Sequence, residues 1–117
     1  MPTALEAYRQ AVMELYVRLP DTPRRLSRFD LRLVRQLWQR QIPPTLIEMA
    51  FLLASARRAA RPANALPLGP IRSLHYFLPV IEELLQTPLH HRQSYLAYLR
   101  TKVPLQPAPA SPLNIEP

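Results

Sequence analysis

No cysteine occurs among the 117 residues, and there is a single glycine, Gly69. Without thiols there is no disulfide framework, no thiolate zinc site and no cysteine nucleophile, the usage expected of a chain kept in a reducing compartment. One glycine leaves no Gly-rich phosphate cradle, no nucleophile elbow and no Asn-Gly or Asp-Gly hairpin. That argues against a nucleotide-binding enzyme and against an all-β fold. Long apolar runs are also missing. The longest, "MAFLLASA" at 49–56, is about half the length a membrane span requires, and "RRAAR" follows it directly. The start, "MPTALEAYRQ", lacks the basic segment and apolar run of a secretory leader. The expectation is a soluble, cytoplasmic chain with no membrane partner.

What is present is apolar side chain, proline and arginine. At 48% hydrophobic residues the chain can build one domain around one core, and not two. Fourteen of its fifteen basic residues are Arg, and the formal net charge is +7. The charge is unevenly placed: residues 24–61 hold nine arginines against Asp30 and Glu48, a surplus of seven that equals the whole imbalance. Clustering of this kind says more than the choice of Arg over Lys, which an Ala-, Leu- and Pro-rich chain shares with its coding bias.

Hydrophobic periodicity points to helices throughout. In residues 4–19, Leu5, Tyr8, Val12, Leu15 and Leu19 recur at spacings of three and four, and Pro20 and Pro23 end the pattern. "LSRFD" reads as a capping box, with Ser27 accepting from the backbone of Asp30 and Asp30 reaching back, so a second helix is expected over about Arg28 to Gln41. At about 100° per residue, Leu31, Val34, Leu37 and Trp38 fall on one side of it and Arg28, Arg32, Arg35 and Gln39 on the other, a core face and a basic face. "IPPTLIEMAFLLASARRAA" begins with prolines suited to a first turn and predicts a central helix to about Ala60. A ten-residue loop, "RPANALPLGP", follows.

The next segment, "SLHYFLPVIEELL", has a core arc of Leu74, Phe77, Leu78, Ile81, Leu84 and Leu85, and a polar arc of His75, Pro79, Glu82 and Glu83. Because Pro79 faces water on this wheel, its lost backbone bond is tolerable, and one kinked helix is the expectation. The alternative is two helices, the second starting at Pro79. "PLHHRQSYLAYLRTK" predicts a fifth helix, with Thr87 as its cap and Pro88 in its first position. From Pro104 onward there are five prolines in fourteen residues and no periodicity, which predicts a disordered, polyproline-like tail. The expected architecture is all-α: a compact bundle of about five helices over residues 1–103, and a tail over 104–117.

The order of these elements resembles the DnaD-like domain of bacterial and phage primosomal and replication-initiation proteins. "LSRFD" (26–30) matches its Leu-Ser-x-x-Asp/Glu helix start, "LIEMA" (46–50) its Leu-Ile-x-x-Ala type motif, and Tyr76, Val80 and Leu84 fall at the intervals of its later Tyr, Ile and Trp. The resemblance covers about residues 24–86. Val80 stands for Ile and Leu84 for Trp, Pro79 interrupts the third motif, and the family's winged-helix segment has no counterpart. The resemblance implies a helical module without catalysis that binds DNA, single- or double-stranded, and contacts helicase-loading or other replication proteins.

Read for chemistry, the residues agree in having no enzyme among them. His75, His90 and His91 are the only histidines, and two adjacent helical residues do not share a face, so a joint metal site is awkward. Asp21, Asp30, Glu48, Glu82 and Glu83 form no carboxylate dyad and are expected to be solvated charges. No metal, cofactor or catalytic group is expected. The candidate binding residues are Arg24, Arg25, Arg28, Arg32 and Arg35, five guanidiniums along one edge with no Glu at helical pairing distance, able to meet successive phosphates. Arg57, Arg58 and Arg61 extend the set, although a helix C-terminus already favours cations there. Tyr98 is the aromatic expected to be exposed. The rival function is a protein-interaction module in which the apolar central helix and "SLHYFLPVIEELL" dock a partner or a second copy of the chain.

Overall fold

The computed structural model describes residues 3–88 and 92–107. Five α-helices follow one another: α1 (Ala4–Tyr16), α2 (Arg28–Gln39), α3 (Pro44–Ala59), α4 (Leu78–Gln86) and α5 (Arg92–Lys102), with a 3-10 turn (Leu74–Phe77) directly before α4. The all-α bundle expected from periodicity is therefore what forms. At its centre lies α3, on which α1, α4 and α5 all pack. Half of its sixteen residues are buried, among them Leu46, Ile47, Ala50, Phe51 and Ala54, which is why its sequence reads as apolar all round. The rings of Tyr16, Phe51 and Phe77 meet in the core with centroids 4.8 to 6.1 Å apart, joining α1, α3 and the 3-10 turn.

Local signals set the helix ends. Thr3 caps α1 by accepting the Glu6 N–H at 3.1 Å, and α1 stops at Tyr16, three residues before the expected end. Two tighter backbone bonds, Arg18 N–H to Leu15 O and Leu19 N–H to Tyr16 O, close the last turn. The Thr22 hydroxyl lies 2.8 Å from Tyr16 O and 2.9 Å from Leu19 O, covering carbonyls that the helix leaves unpaired. Asp21 takes a left-handed conformation (φ 65°) to make this turn, and Gln41 (φ 60°) does the same after α2. The single glycine is used at neither place. On the inner side of α1, Tyr8, Val12, Met13 and Tyr16 are buried, while Leu5 and Leu15 are half-buried. The Tyr8 hydroxyl donates to Ile42 O at 2.7 Å, fastening α1 to the α2–α3 turn, and burial pushes that hydroxyl up to about 12.

Pro79 resolves in favour of two elements and not one kinked helix. The chain runs as a 3-10 turn through Phe77 and begins α4 at Leu78, so Pro79 sits in the first turn of a new helix, where an N–H needs no partner. It is exposed, as the wheel placed it. Leu78 is only half-buried and Leu85 is exposed, leaving Leu74, Phe77, Ile81 and Leu84 as the core arc. Thr87 closes α4 instead of opening α5: its hydroxyl donates to Glu83 O at 2.8 Å. His90 and His91 lie outside the described residues.

After α5 the chain does not leave the domain at once. The Gln106 N–H donates to Arg18 O at 2.7 Å, and Arg18 Nε returns a bond to Gln106 O at 3.1 Å. Arg24 reaches Gln106 Oε1 at 2.5 Å and Pro107 O at 2.8 Å. Residues 104–107, expected to begin the tail, thus form a strap across the segment between α1 and α2. Residues 108–117, the rest of the expected tail, lie outside the described residues.

Candidate nucleic-acid interface

α2 is built to show one face and hide the other. Its capping box forms as the sequence predicts: Ser27 Oγ accepts the Asp30 N–H and Asp30 Oδ2 accepts the Ser27 N–H, both at 3.1 Å. The second oxygen of Asp30 accepts the Leu74 N–H at 2.8 Å, tying α2 to the start of the 3-10 turn. Asp30, expected to be a solvated charge, is 1% exposed. Its charge, after burial itself, is what raises the Tyr16 hydroxyl above its ordinary range.

This contact turns the helix relative to the expectation. The buried residues of α2 are Asp30, Leu33, Val34 and Leu37. Leu31 is half-buried, and Trp38, placed in the core from the sequence, is 36% exposed. Leu33 takes the place the wheel gave to Trp38, because the 3-10 turn packs against α2 on that side.

The outer face keeps the expected stripe. Arg28, Arg32, Arg35 and Gln39 are all exposed, and none of the three arginines makes a hydrogen bond or ion pair among the described residues. The only acid on α2 is Asp30, on its inner side. Aromatics flank the stripe: Trp38 on one edge, and on the other Phe29, 57% exposed and stacked on the His75 ring at 4.3 Å. Phe29 is as open as Tyr98, at 54%. The sequence signal for Phe29 was its position next to Arg28, on the stripe side of the wheel.

The other candidate arginines are engaged elsewhere. Arg24 is held by Gln106 and Pro107, while Arg25 is exposed just ahead of the α2 cap. Arg57 makes a two-bond pair with Glu83 at 2.9 and 2.7 Å, linking α3 to α4, and that hydrogen bonding holds the Glu83 carboxyl below the usual carboxylate range. The Arg58 side chain is 11% exposed; it donates to Tyr76 Oη at 3.2 Å and Gly69 O at 2.9 Å, and stacks over the Tyr76 ring. Arg61 donates to Leu66 O at 2.7 Å. The 57–61 group therefore fastens α4 and the 61–70 loop to α3, and stands apart from the α2 stripe. Pairing also claims the carboxylates expected to be solvated: Glu48 with Arg100, Glu82 with Arg40, Glu83 with Arg57, and Asp21 with Arg58.

Among the described residues, no three His, Asp or Glu side chains gather as metal ligands, and no helix is long and apolar enough to cross a membrane. No family model, curated protein or solved structure matches the chain.

Proposed function

We propose that the protein binds nucleic acid without catalysis, through the outer face of α2, and acts in the cytoplasm in DNA replication initiation or a related mobile-element process, as the DnaD-like resemblance implies. The observation that carries the reading is Arg28, Arg32 and Arg35 standing on one exposed face with no carboxylate partner. Three other exposed arginines, Arg40, Arg57 and Arg100, each meet a Glu within 2.9 Å, which these three on α2 do not. Leaving three unpaired along about 10 Å of helix axis concentrates positive potential where successive phosphates of one strand can lie. Phe29 and Trp38 add ring surface at the edges of the stripe, on which unpaired bases can stack. The rival interaction module relied on the apolar surfaces of α3 and of residues 73–85; of these, half of α3 and Leu74, Phe77, Ile81 and Leu84 are spent on the domain's own core, which leaves Tyr76 and Leu85 exposed.

The test is fluorescence anisotropy on labelled single- and double-stranded DNA across a salt series. Replacing Arg28, Arg32 and Arg35 together by Ala should reduce the log–log salt slope by about two to three units on duplex, equally for unrelated sequences. A triple variant that binds like the parent at every salt concentration refutes the reading.

A further inference from the structure

A cleft of about 460 Å³ opens between the C-terminal half of α3, the 61–70 loop and the end of α5. Its volume falls in the range of small-ligand sites, about 300–1,000 Å³. Apolar walls come from Leu66, Leu68, Pro67 and Val103, and its charged groups are Arg58, Arg61 and Lys102 against one acid, Asp21. Ser55, on the inner turn of α3, also lines it. Ser55 is 4% exposed, and its hydroxyl has no hydrogen-bond partner; Arg58 Nε, in the same wall, is likewise buried without one. Buried donors are nearly always satisfied in folded proteins, so two orphans on residues that line one cleft ask for an acceptor. Alanine in place of Ser55 would remove that deficit at no loss of helix propensity.

We propose that this cleft binds a small organic oxyanion, a carboxylate or phosphate head on a short apolar body. The head accepts from Ser55 Oγ and Arg58 Nε with Arg61 and Lys102 supplying charge, and the body lies against Leu66 and Leu68. Acceptance by charged donors makes such bonds roughly twice as strong as neutral ones, which favours an anion over an alcohol of the same shape. The inference is independent of the α2 reading, since no α2 residue lines the cleft.

Three probes separate head from body: hexanoate, hexyl phosphate and hexanol, titrated into the full chain while its amide resonances are followed. Saturable shifts are expected at Ser55, Ala63 and Leu66 for at least one of the two anions, with hexanol at least tenfold weaker; whichever anion binds tighter names the head group. Lys102→Gln and Arg61→Gln should each weaken that anion about three- to tenfold. Ser55→Ala should melt no lower than the parent, and should lose most of the anion-induced rise in melting temperature. Hexanol binding as tightly as the anions, absence of saturable shifts up to 10 mM, or an unchanged anion response in Ser55→Ala would each overturn the proposal.

Discussion

Asp30→Ala should be among the most damaging single changes in this domain, for reasons that can be worked through. The carboxylate accepts two backbone N–H groups, that of Ser27 at 3.1 Å in a half-buried position and that of Leu74 at 2.8 Å in the interior. Losing its half of the capping box costs about 0.5–2 kcal/mol. Stranding the Leu74 N–H in the interior adds about 1–3 kcal/mol. Relief of the desolvation of a buried charge works in the opposite direction. The net expectation is a loss of about 2–4 kcal/mol, a large fraction of the ~5–15 kcal/mol that holds a domain of this size together. Urea unfolding followed by far-ultraviolet circular dichroism measures it, with an unchanged m-value showing that the unfolded state is comparable. Ser27→Ala, which touches only the cap, should cost about 1 kcal/mol. Asp30→Asn keeps one acceptor but turns an NH2 toward the other N–H, and should fall between the two. If Asp30→Ala lies within about 0.5 kcal/mol of the parent, the tie between α2 and the 3-10 turn contributes nothing, and the account of how α2 is oriented is wrong.

Three further outcomes follow from the structure. Pro79→Ala should lower stability slightly, by about 0.4–1 kcal/mol, because proline restrains the unfolded chain at a first-turn position that needs no N–H; a rise would restore the kinked-helix view. Ending the chain after Val103 should lower the melting temperature by roughly 5 °C relative to ending it after Pro107, since only the former removes the bonds to Arg18 and Arg24; equal melting would mean the strap is decorative. Tyr8 is raised to about 12, so the folded state favours the protonated hydroxyl. Its contribution is complete below the ordinary value near 10 and fades as pH rises from 10 to 12. Tyr8→Phe should therefore be less stable than the parent at neutral pH and lose less on going to alkaline pH, as read by thermal melts across that window.

The elements were legible where their cause is local. The α2 start is written in Ser27 and Asp30, the burial of α3 in its near-continuous apolar run, and the loop at 61–70 in its prolines. The candidate stripe was legible as well, because helical spacing alone puts Arg28, Arg32 and Arg35 on one face. What escaped depends on partners far along the chain. Asp30 is buried because Leu74, forty-four residues on, presents its N–H, and that contact rotates Trp38 outward. Arg57 and Arg58 looked like a basic cluster until Glu83 and Tyr76 arrived from α4 and the 3-10 turn. Thr87 carried the same capping chemistry for either neighbour, and the helix that needed its hydroxyl was the one behind it.

The strap also fixes an order of events during synthesis. Tyr16, Phe51 and Phe77 have all been made before α5 begins, so the aromatic centre can gather while the chain is still being extended. Arg18 and Arg24 wait longest: their partners at Gln106 and Pro107 arrive 82 to 88 residues later. Because the entropy of closing so long a loop grows only slowly with its length, and the helices between have already shortened it, the late closure is cheap. A nascent chain halted before Gln106 holds its core but leaves those two guanidiniums and the Arg18 carbonyl open to water, marking an unfinished chain on its surface and not in its interior.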